Sequence, residues 1–268
     1  MISPEPPYLP RIVEECQDYL IVDKPPFLLS HPTRKKKGPS ILEWLQNLNP
    51  AIPFKLIHRL DRETSGLLVV AKNSAAAAYF GRQMEKRLIQ KGYLAISWGE
   101  LKADYLKIEA PLGYLGGAKG NEIVIRQGIV PHGTQSVTEI YPLGHGGGYS
   151  LLWVRPLTGK LHQIRVHLST IRHPVVGDKL YGPNPSFFLE FAKRGWTEEM
   201  EKVLLLPRHA LHAAYLSFFW KGEKKQFYSP LPEDLKKFLG LVQNLSKLQL
   251  NNPILANDPW GKILKELA

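Results

Sequence analysis

Leu67-Leu68-Val69-Val70-Ala71 is an unbroken apolar run, the pattern of a strand buried on both faces. Upstream, Tyr19-Leu20-Ile21-Val22 predicts a short strand that ends before Lys24-Pro25-Pro26. Beyond the run, Ser74 is placed to cap a helix over 75–90, with Ala76, Phe80, Met84 and Leu88 spaced as one buried stripe and Gly92 at its C-terminal end. A strand over 93–98 follows. Its alternation sets Leu94, Ile96 and Trp98 on one face and Tyr93 on the other with the small residues Ala95 and Ser97. A large aromatic beside two small neighbours suits the lining of a cleft.

From 101 to 149 the chain is rich in glycine and short strand candidates, including 122–125 and 136–141. These predict antiparallel ribbons with flexible connections such as Gly144-His145-Gly146-Gly147-Gly148. Residues 150–155 form another strand. After Pro156-Leu157-Thr158-Gly159 a helix is expected over 161–171, with the apolar stripe Leu161, Ile164, Leu168 and Ile171 beside a polar stripe of His162, Arg165, Ser169 and Arg172. A strand over 211–220 is expected to pair with Gln226-Phe227-Tyr228 through a turn at Gly222, and Leu235, Phe238, Leu239 and Val242 mark a last helix. Short strands mixed with a few helices predict one α+β domain. Its core spans about 12–245, with a proline-rich arm over 1–11 and a weakly patterned tail over 251–268.

Composition narrows the partner. The 268 residues are 44% hydrophobic and carry a net charge of +11, an excess that favours a polyanion such as nucleic acid or an acidic membrane surface. Arg34-Lys35-Lys36-Lys37 is either a solvated turn or a phosphate contact. Cys16 is the one cysteine, so neither an intrachain disulfide nor a multi-thiolate metal site can form. No apolar run approaches the ~20 residues that span a bilayer, and the N-terminus lacks a signal-peptide pattern. A cytoplasmic protein without membrane contact is expected.

Asp61 lies among His58, Arg59 and Arg62, and opposite charge nearby keeps a carboxylate ionised and ready as nucleophile or base. The commoner origin of such a pattern is an ordinary ion pair or a helix cap. Thr64-Ser65-Gly66 can turn the chain into the buried run, which would mount Asp61 at the end of a central strand. Competing chemistry does not assemble. There is no His-Glu-x-x-His pair and no phosphate loop, and His162 and His167, five apart, do not share a helix face as zinc ligands would. No metal or cofactor is expected.

His58-Arg59-Leu60-Asp61-Arg62-Glu63-Thr64-Ser65-Gly66-Leu67-Leu68-Val69-Val70-Ala71-Lys72 closely resembles the central signature of the RluA-type pseudouridine synthases. A second match runs from Leu157-Thr158-Gly159-Lys160-Leu161-His162-Gln163-Ile164-Arg165 to Leu168, and continues through His173-Pro174-Val175-Val176-Gly177-Asp178-Lys179-Leu180-Tyr181-Gly182. Weaker matches at Asp23-Lys24-Pro25, His31-Pro32, Lys91-Gly92-Tyr93-Leu94-Ala95 and Leu211-His212-Ala213 fall in the family's order, so the set covers about 12–235. Pro26-Phe27, Lys160 and Arg172 depart from common family residues without removing a chemical group the family uses.

The resemblance implies a pseudouridine synthase fold: a mixed, largely antiparallel sheet with flanking helices and loops around a central RNA-binding cleft. It implies isomerisation of uridine in rRNA or tRNA, by a monomer that needs no cofactor and no obligatory protein partner. Asp61 matches the catalytic aspartate. Tyr93 matches the aromatic residue that packs on the target base, Arg165 the basic partner of the aspartate, and Arg59 a residue that fills the space left by the flipped base. No S4-type RNA-binding module is seen. Two other readings fit the same residues: an RNA-binding or ribosome-assembly factor that keeps the fold without turnover, and a glycosylase that releases uracil.

Overall fold

Two segments far apart in sequence complete one unit of this protein, as a computed structural model shows for residues 6–32, 39–116 and 123–241. That unit holds the described residues up to Lys91 together with His212–Ser229, and the second compact unit holds Gly92–Leu211 and the described residues from Pro230 on. In chain order the first segment gives β1 (Arg11–Glu15), β2 (Tyr19–Lys24), α1 (Ile41–Leu48), β3 (Lys55–Leu56), β4 (Ser65–Ala71) and α2 (Ser74–Glu85). Then follow β5 (Gln90–Trp98), β6 (Leu106–Tyr114), β7 (Gln127–Ile129), β8 (Thr134–Gly146), β9 (Tyr149–Pro156), α3 (Gln163–Thr170), α4 (Ser186–Arg194) and α5 (Glu198–Leu204). The chain closes with β10 (Leu211–Trp220), β11 (Glu223–Tyr228) and α6 (Glu233–Leu241).

In the first unit β2 pairs antiparallel with β4 over six consecutive positions, from Tyr19↔Ala71 to Lys24↔Gly66. The other edge of β4 is shared: β10 pairs parallel with its start at Ser65 and Gly66, and β3 pairs antiparallel with its end at Val70 and Ala71. With strands on both edges and layers on both faces, every residue of β4 is buried, as its apolar run predicts. Gly66 makes the parallel pairing possible. It sits at φ +109°, and a Cβ there would lie 2.2 Å from the Ala213 carbonyl oxygen. One face of β2, β4 and β10 packs on α2 through Tyr19, Phe80 and Phe218, whose rings meet edge to face at 5.0–5.6 Å.

The second unit is an antiparallel ribbon in the order β5-β9-β8-β6-β7. Tyr93 pairs with Val154 in it, and Leu94, Ala95, Ile96 and Ser97 are fully buried along with Leu152 and Val154. Within the two units the β4·β10 pairing is the parallel one and the others are antiparallel, so the mixed, largely antiparallel α+β class holds. Among the described residues no helix is long and apolar enough to cross a membrane.

Several element boundaries differ from expectation for local reasons. Asn73, not Ser74, caps α2 by accepting from the Ala76 amide at 2.8 Å. The helix stops at Glu85 rather than 90 because Arg87 takes a left-handed conformation (φ 55°). The Leu88 amide then bonds back to the Gln83 carbonyl and the Arg87 amide to that of Met84, a helix stop usually built on glycine. Leu88 is therefore outside the buried stripe, and Gly92 belongs to β5. Residues 123–125 make a turn instead of a strand, while Glu122 lies outside the described residues. The expected 161–171 helix is shorter, because His162 at φ 56° breaks it before Gln163 and leaves Leu161 exposed. Helices α1, α4 and α5 were not foreseen, although Ser40-x-x-Glu43 is a capping signature that could have announced α1. The basic loop at 34–37, residue 242 and the 251–268 tail lie outside the described residues.

Candidate active site

The segment that carries Asp61 is held on both sides by buried groups of its own unit. On one flank the Ser30 hydroxyl donates to the Leu60 carbonyl at 2.8 Å and accepts from the Leu60 amide at 3.0 Å. On the other, the fully buried Lys24 side chain donates to the Arg62 carbonyl at 3.1 Å as well as to Pro25 and Leu28 carbonyls at 2.8 and 2.9 Å. Three donated bonds need three N–H groups, so this nitrogen is an ammonium. The Arg62 side chain donates to the Phe27 carbonyl at 3.0 Å, and the Thr64 amide donates to the Asp61 carbonyl at 3.1 Å to close the turn. Asp61 itself is half-buried at the head of the turn that leads into β4. The expectation that it sits at a strand end on a rigid mount agrees with this geometry.

Its neighbours in sequence do not all act as cations. His58 is buried, and its Nε2 accepts weakly from the Val69 amide at 3.4 Å. Burial first, and then the positive charge of Lys91, push this imidazole down to about 3, so it is neutral at physiological pH. Arg59 has the opposite character. It is exposed, and among the described residues it makes no hydrogen bond or ion pair that would tie its guanidinium down. After the turn, the Ser65 hydroxyl meets His212 Nδ1 at 2.9 Å while His212 Nε2 lies 3.2 Å from the Ser229 carbonyl. The carbonyl can only accept, so Nε2 carries the proton and Nδ1 accepts from Ser65. Ser229 in turn donates to Asp23 at 2.8 Å, which links β2, β4 and β10 by side chains as well as by ladder bonds.

In the other unit Tyr93 is 8% exposed and shares a strand face with Ala95 and Ser97, as the alternation predicts. Arg165 is almost fully buried on α3. Its Nε and Nη2 donate to the two oxygens of Asp178 at 2.7 and 2.8 Å, a bidentate pair inside the protein. The same carboxylate accepts the Leu180 and Tyr181 amides at 2.9 and 3.0 Å. Burial alone would raise its pKa, but the charge and hydrogen bonds of Arg165 and these amides outweigh burial and hold it below the ordinary value. The Arg165 guanidinium carbon lies 5.0 Å from the centre of the Tyr181 ring, and the Tyr181 hydroxyl is fixed by the Gln127 amide at 2.9 Å and His162 Nδ1 at 2.8 Å.

Thus Asp61 and Arg59 belong to one unit, and Tyr93 and Arg165 to the other. Sequence reasoning quoted Asp178 and Tyr181 only within a matched block and gave them no role. Nothing in the spacing of Arg165 and Asp178, thirteen residues apart across a helix and a loop, announces their pairing. Lys24 was likewise read as a strand end rather than as the tether of the Asp61 turn. His167 is occupied by Thr138 at 2.8 Å and Ser136 at 3.0 Å, and among the described residues no group of three or more His, Cys, Asp or Glu is arranged to hold a metal ion.

Residues 18–170 match the family model described as RNA pseudouridylate synthase. The ribosomal large subunit pseudouridine synthase D of Nitrosomonas europaea is 33% identical over 253 residues, which cover 91% of this chain and 68% of that protein. The protein of the same name from Haemophilus ducreyi is 33% identical over 249 residues, or 90% of this chain and 72% of its own. Among solved structures, human RNA pseudouridylate synthase domain containing 4 superposes with a TM-score of 0.66 at 25% identity, covering 85% of this chain and 91% of that one. Human RNA pseudouridylate synthase domain containing 1 gives a TM-score of 0.63 at 28% identity, covering 87% and 89%.

Proposed function

Since this chain belongs to the RluA-type RNA pseudouridylate synthase family and is an isomerase acting on RNA, we propose that it converts specific uridines of ribosomal RNA to pseudouridine with Asp61 as its catalytic carboxylate. The observation that carries the assignment of Asp61 is the double tether of its turn, by Ser30 on one flank and Lys24 on the other. A reactive group gains from a backbone that cannot drift, because a misplacement of ~1 Å can cost on the order of 100-fold in rate. The names of the curated relatives favour ribosomal over transfer RNA as the substrate.

The uracil N1–C1′ bond breaks, the base turns while held, and C5 bonds to C1′ in its place. Composition is unchanged by this exchange, so it calls for neither a redox partner nor a group donor. Asp61 supplies the carboxylate at C1′. Tyr93 offers its ring to the uracil, and the small side chains of Ala95 and Ser97 leave space on its face of the strand. Arg165 contributes directed N–H donors. Arg59, exposed and untethered, is suited to stacking where the flipped nucleotide has left the helix, which recovers part of a cost of a few kcal/mol. Two of these four residues come from each compact unit, so the reading treats both units as one catalytic domain. It also has the protein work as a monomer in the cytoplasm, and its single cysteine suits a reducing compartment.

Pseudouridine mapping of total RNA from cells with and without the protein tests this reading. Ribosomal sites lost on deletion should return with the wild-type protein and not with Asp61→Asn. Loss confined to transfer RNA would move the substrate class. Restoration by Asp61→Asn would remove the catalytic role of Asp61, and release of free uracil from RNA would point to a glycosylase.

A further inference from the structure

We propose that Asp178 is a positioning residue for the isomerisation, clamping the guanidinium of Arg165 so that its Nη1 edge stays presented to the reaction. The inference rests on the reading of Arg165 given above. A guanidinium has five N–H groups in one plane, and Asp178 takes the pair on the Nε–Nη2 edge at 2.7 and 2.8 Å. That choice of edge leaves both hydrogens of Nη1 outside the clamp. Two further contacts fix the plane. Tyr181 lies against the guanidinium at 5.0 Å, and its hydroxyl is held by the Gln127 amide and His162, so the ring cannot swing aside. Asp178 is in turn immobile: its carboxylate is fully buried, and Oδ1 accepts two backbone amides besides Arg165.

The surroundings argue that this carboxylate is committed to Arg165. Two other buried cations of the same unit have acceptors of their own: Lys179 donates to the Pro207 carbonyl at 2.7 Å, and Arg208 makes a bidentate pair with Asp234 at 2.6 and 3.0 Å. The backbone is also built to deliver Asp178. Gly177 precedes it at φ +77°, where a Cβ would stand 2.0 Å from the Arg208 carbonyl oxygen. For stability alone a buried ion pair is a poor investment, since apolar residues of similar volume commonly do as well. A fixed direction for the unclamped edge is what the ion pair adds.

The test is a mutant cycle of D178N, R165Q and R165Q/D178N, with D178E as a fourth variant. Single-turnover rates are measured at saturating RNA, and RNA affinity and the folded fraction are measured separately. In D178N an amide N–H faces the guanidinium, so Arg165 is expected to turn. The rate should fall about 10- to 100-fold, the range seen when a partner orienting a functional side chain is lost, with affinity changed less than about 3-fold. D178E keeps the charge but displaces it by a methylene, and should be slow while folded even if D178N folds poorly. Because Asp178 acts through Arg165, R165Q/D178N should be no slower than R165Q. A purely structural Asp178 would lower the folded fraction and leave the rate per folded molecule at the wild-type value. That result, or independent multiplication of the two effects in the double variant, would overturn the proposal. Failure of the wild type to form pseudouridine would instead strike the proposed function.

Discussion

Replacing Lys24 by methionine removes the tether on the Arg62 side of the Asp61 turn while keeping the length and apolar stem of the side chain. The lost ammonium leaves the carbonyls of Pro25, Leu28 and Arg62 without this donor, and each buried acceptor so abandoned costs ~1–3 kcal/mol. Relief from burying a charge offsets several kcal/mol of that sum, and breaking a buried charge contact by removing one partner comes to ~3–5 kcal/mol net. In a protein of this size that corresponds to a fall in Tm of roughly 6–20 °C, at ~2–4 °C per kcal/mol. Urea denaturation of wild type and K24M should show the loss as a shift of midpoint at constant slope. Hydrogen exchange should place the earliest opening at the amides of residues 60–64, and single-turnover activity under fully folded conditions should drop as the carboxylate loses its fixed mount. A variant within about 0.5 kcal/mol of wild type, with unchanged exchange at those amides, would refute the claim that Lys24 holds the turn.

Acid should destabilise the protein well above the carboxylate range. His58 and His167 titrate at about 3 and about 4 when folded, so between these values and ~6.5 the unfolded chain binds more protons. Their contribution is fully present above pH ~6.5 and falls by about 2 kcal/mol each on going to pH 5. H167Q should flatten the pH 7-to-5 change in denaturation midpoint, and a midpoint that does not move in wild type would contradict the buried neutral histidines. Gly66→Ala combines a left-handed backbone with a clash against the Ala213 carbonyl, and should cost about 4 kcal/mol, summing backbone strain and overpacking. A soluble variant with wild-type stability would show that β4 and β10 do not approach as described. Arg59→Ala should leave stability within ~0.5 kcal/mol yet slow turnover about 10-fold on paired RNA, equivalent to ~1.4 kcal/mol. Equal slowing on unpaired RNA would argue against a stacking role.

What the sequence announced and what it hid differ in physical kind. The Leu67–Ala71 run could be read because burial on two faces leaves no room for polar alternation, and the Asp61 turn could be placed because Gly66 and the run follow at once. Tyr93 and its small neighbours were visible through the period of two. The stop of α2 was not, because it uses Arg87 in a conformation that propensity assigns to glycine. Nor was the Arg165–Asp178 clamp, which depends on where a loop returns beside a helix. The supposed cationic shell of Asp61 misled for a related reason: whether His58 carries charge is decided by burial, which local sequence does not state. The residues of the chemistry stood in the motifs, whereas the residues that hold them still are set by tertiary contacts.

The parallel pairing of β10 with β4 has a consequence for synthesis of the chain. His212 and Ala213, the partners of Ser65 and Gly66, leave the ribosome more than a hundred residues after them, and the Ser65–His212–Ser229–Asp23 chain of hydrogen bonds closes later still. A nascent protein stopped at 211 would carry the full Asp61 signature but not the strand against which β4 is set. The carboxylate is therefore delivered early and secured late, so that an interrupted product carries the motif without its finished mount.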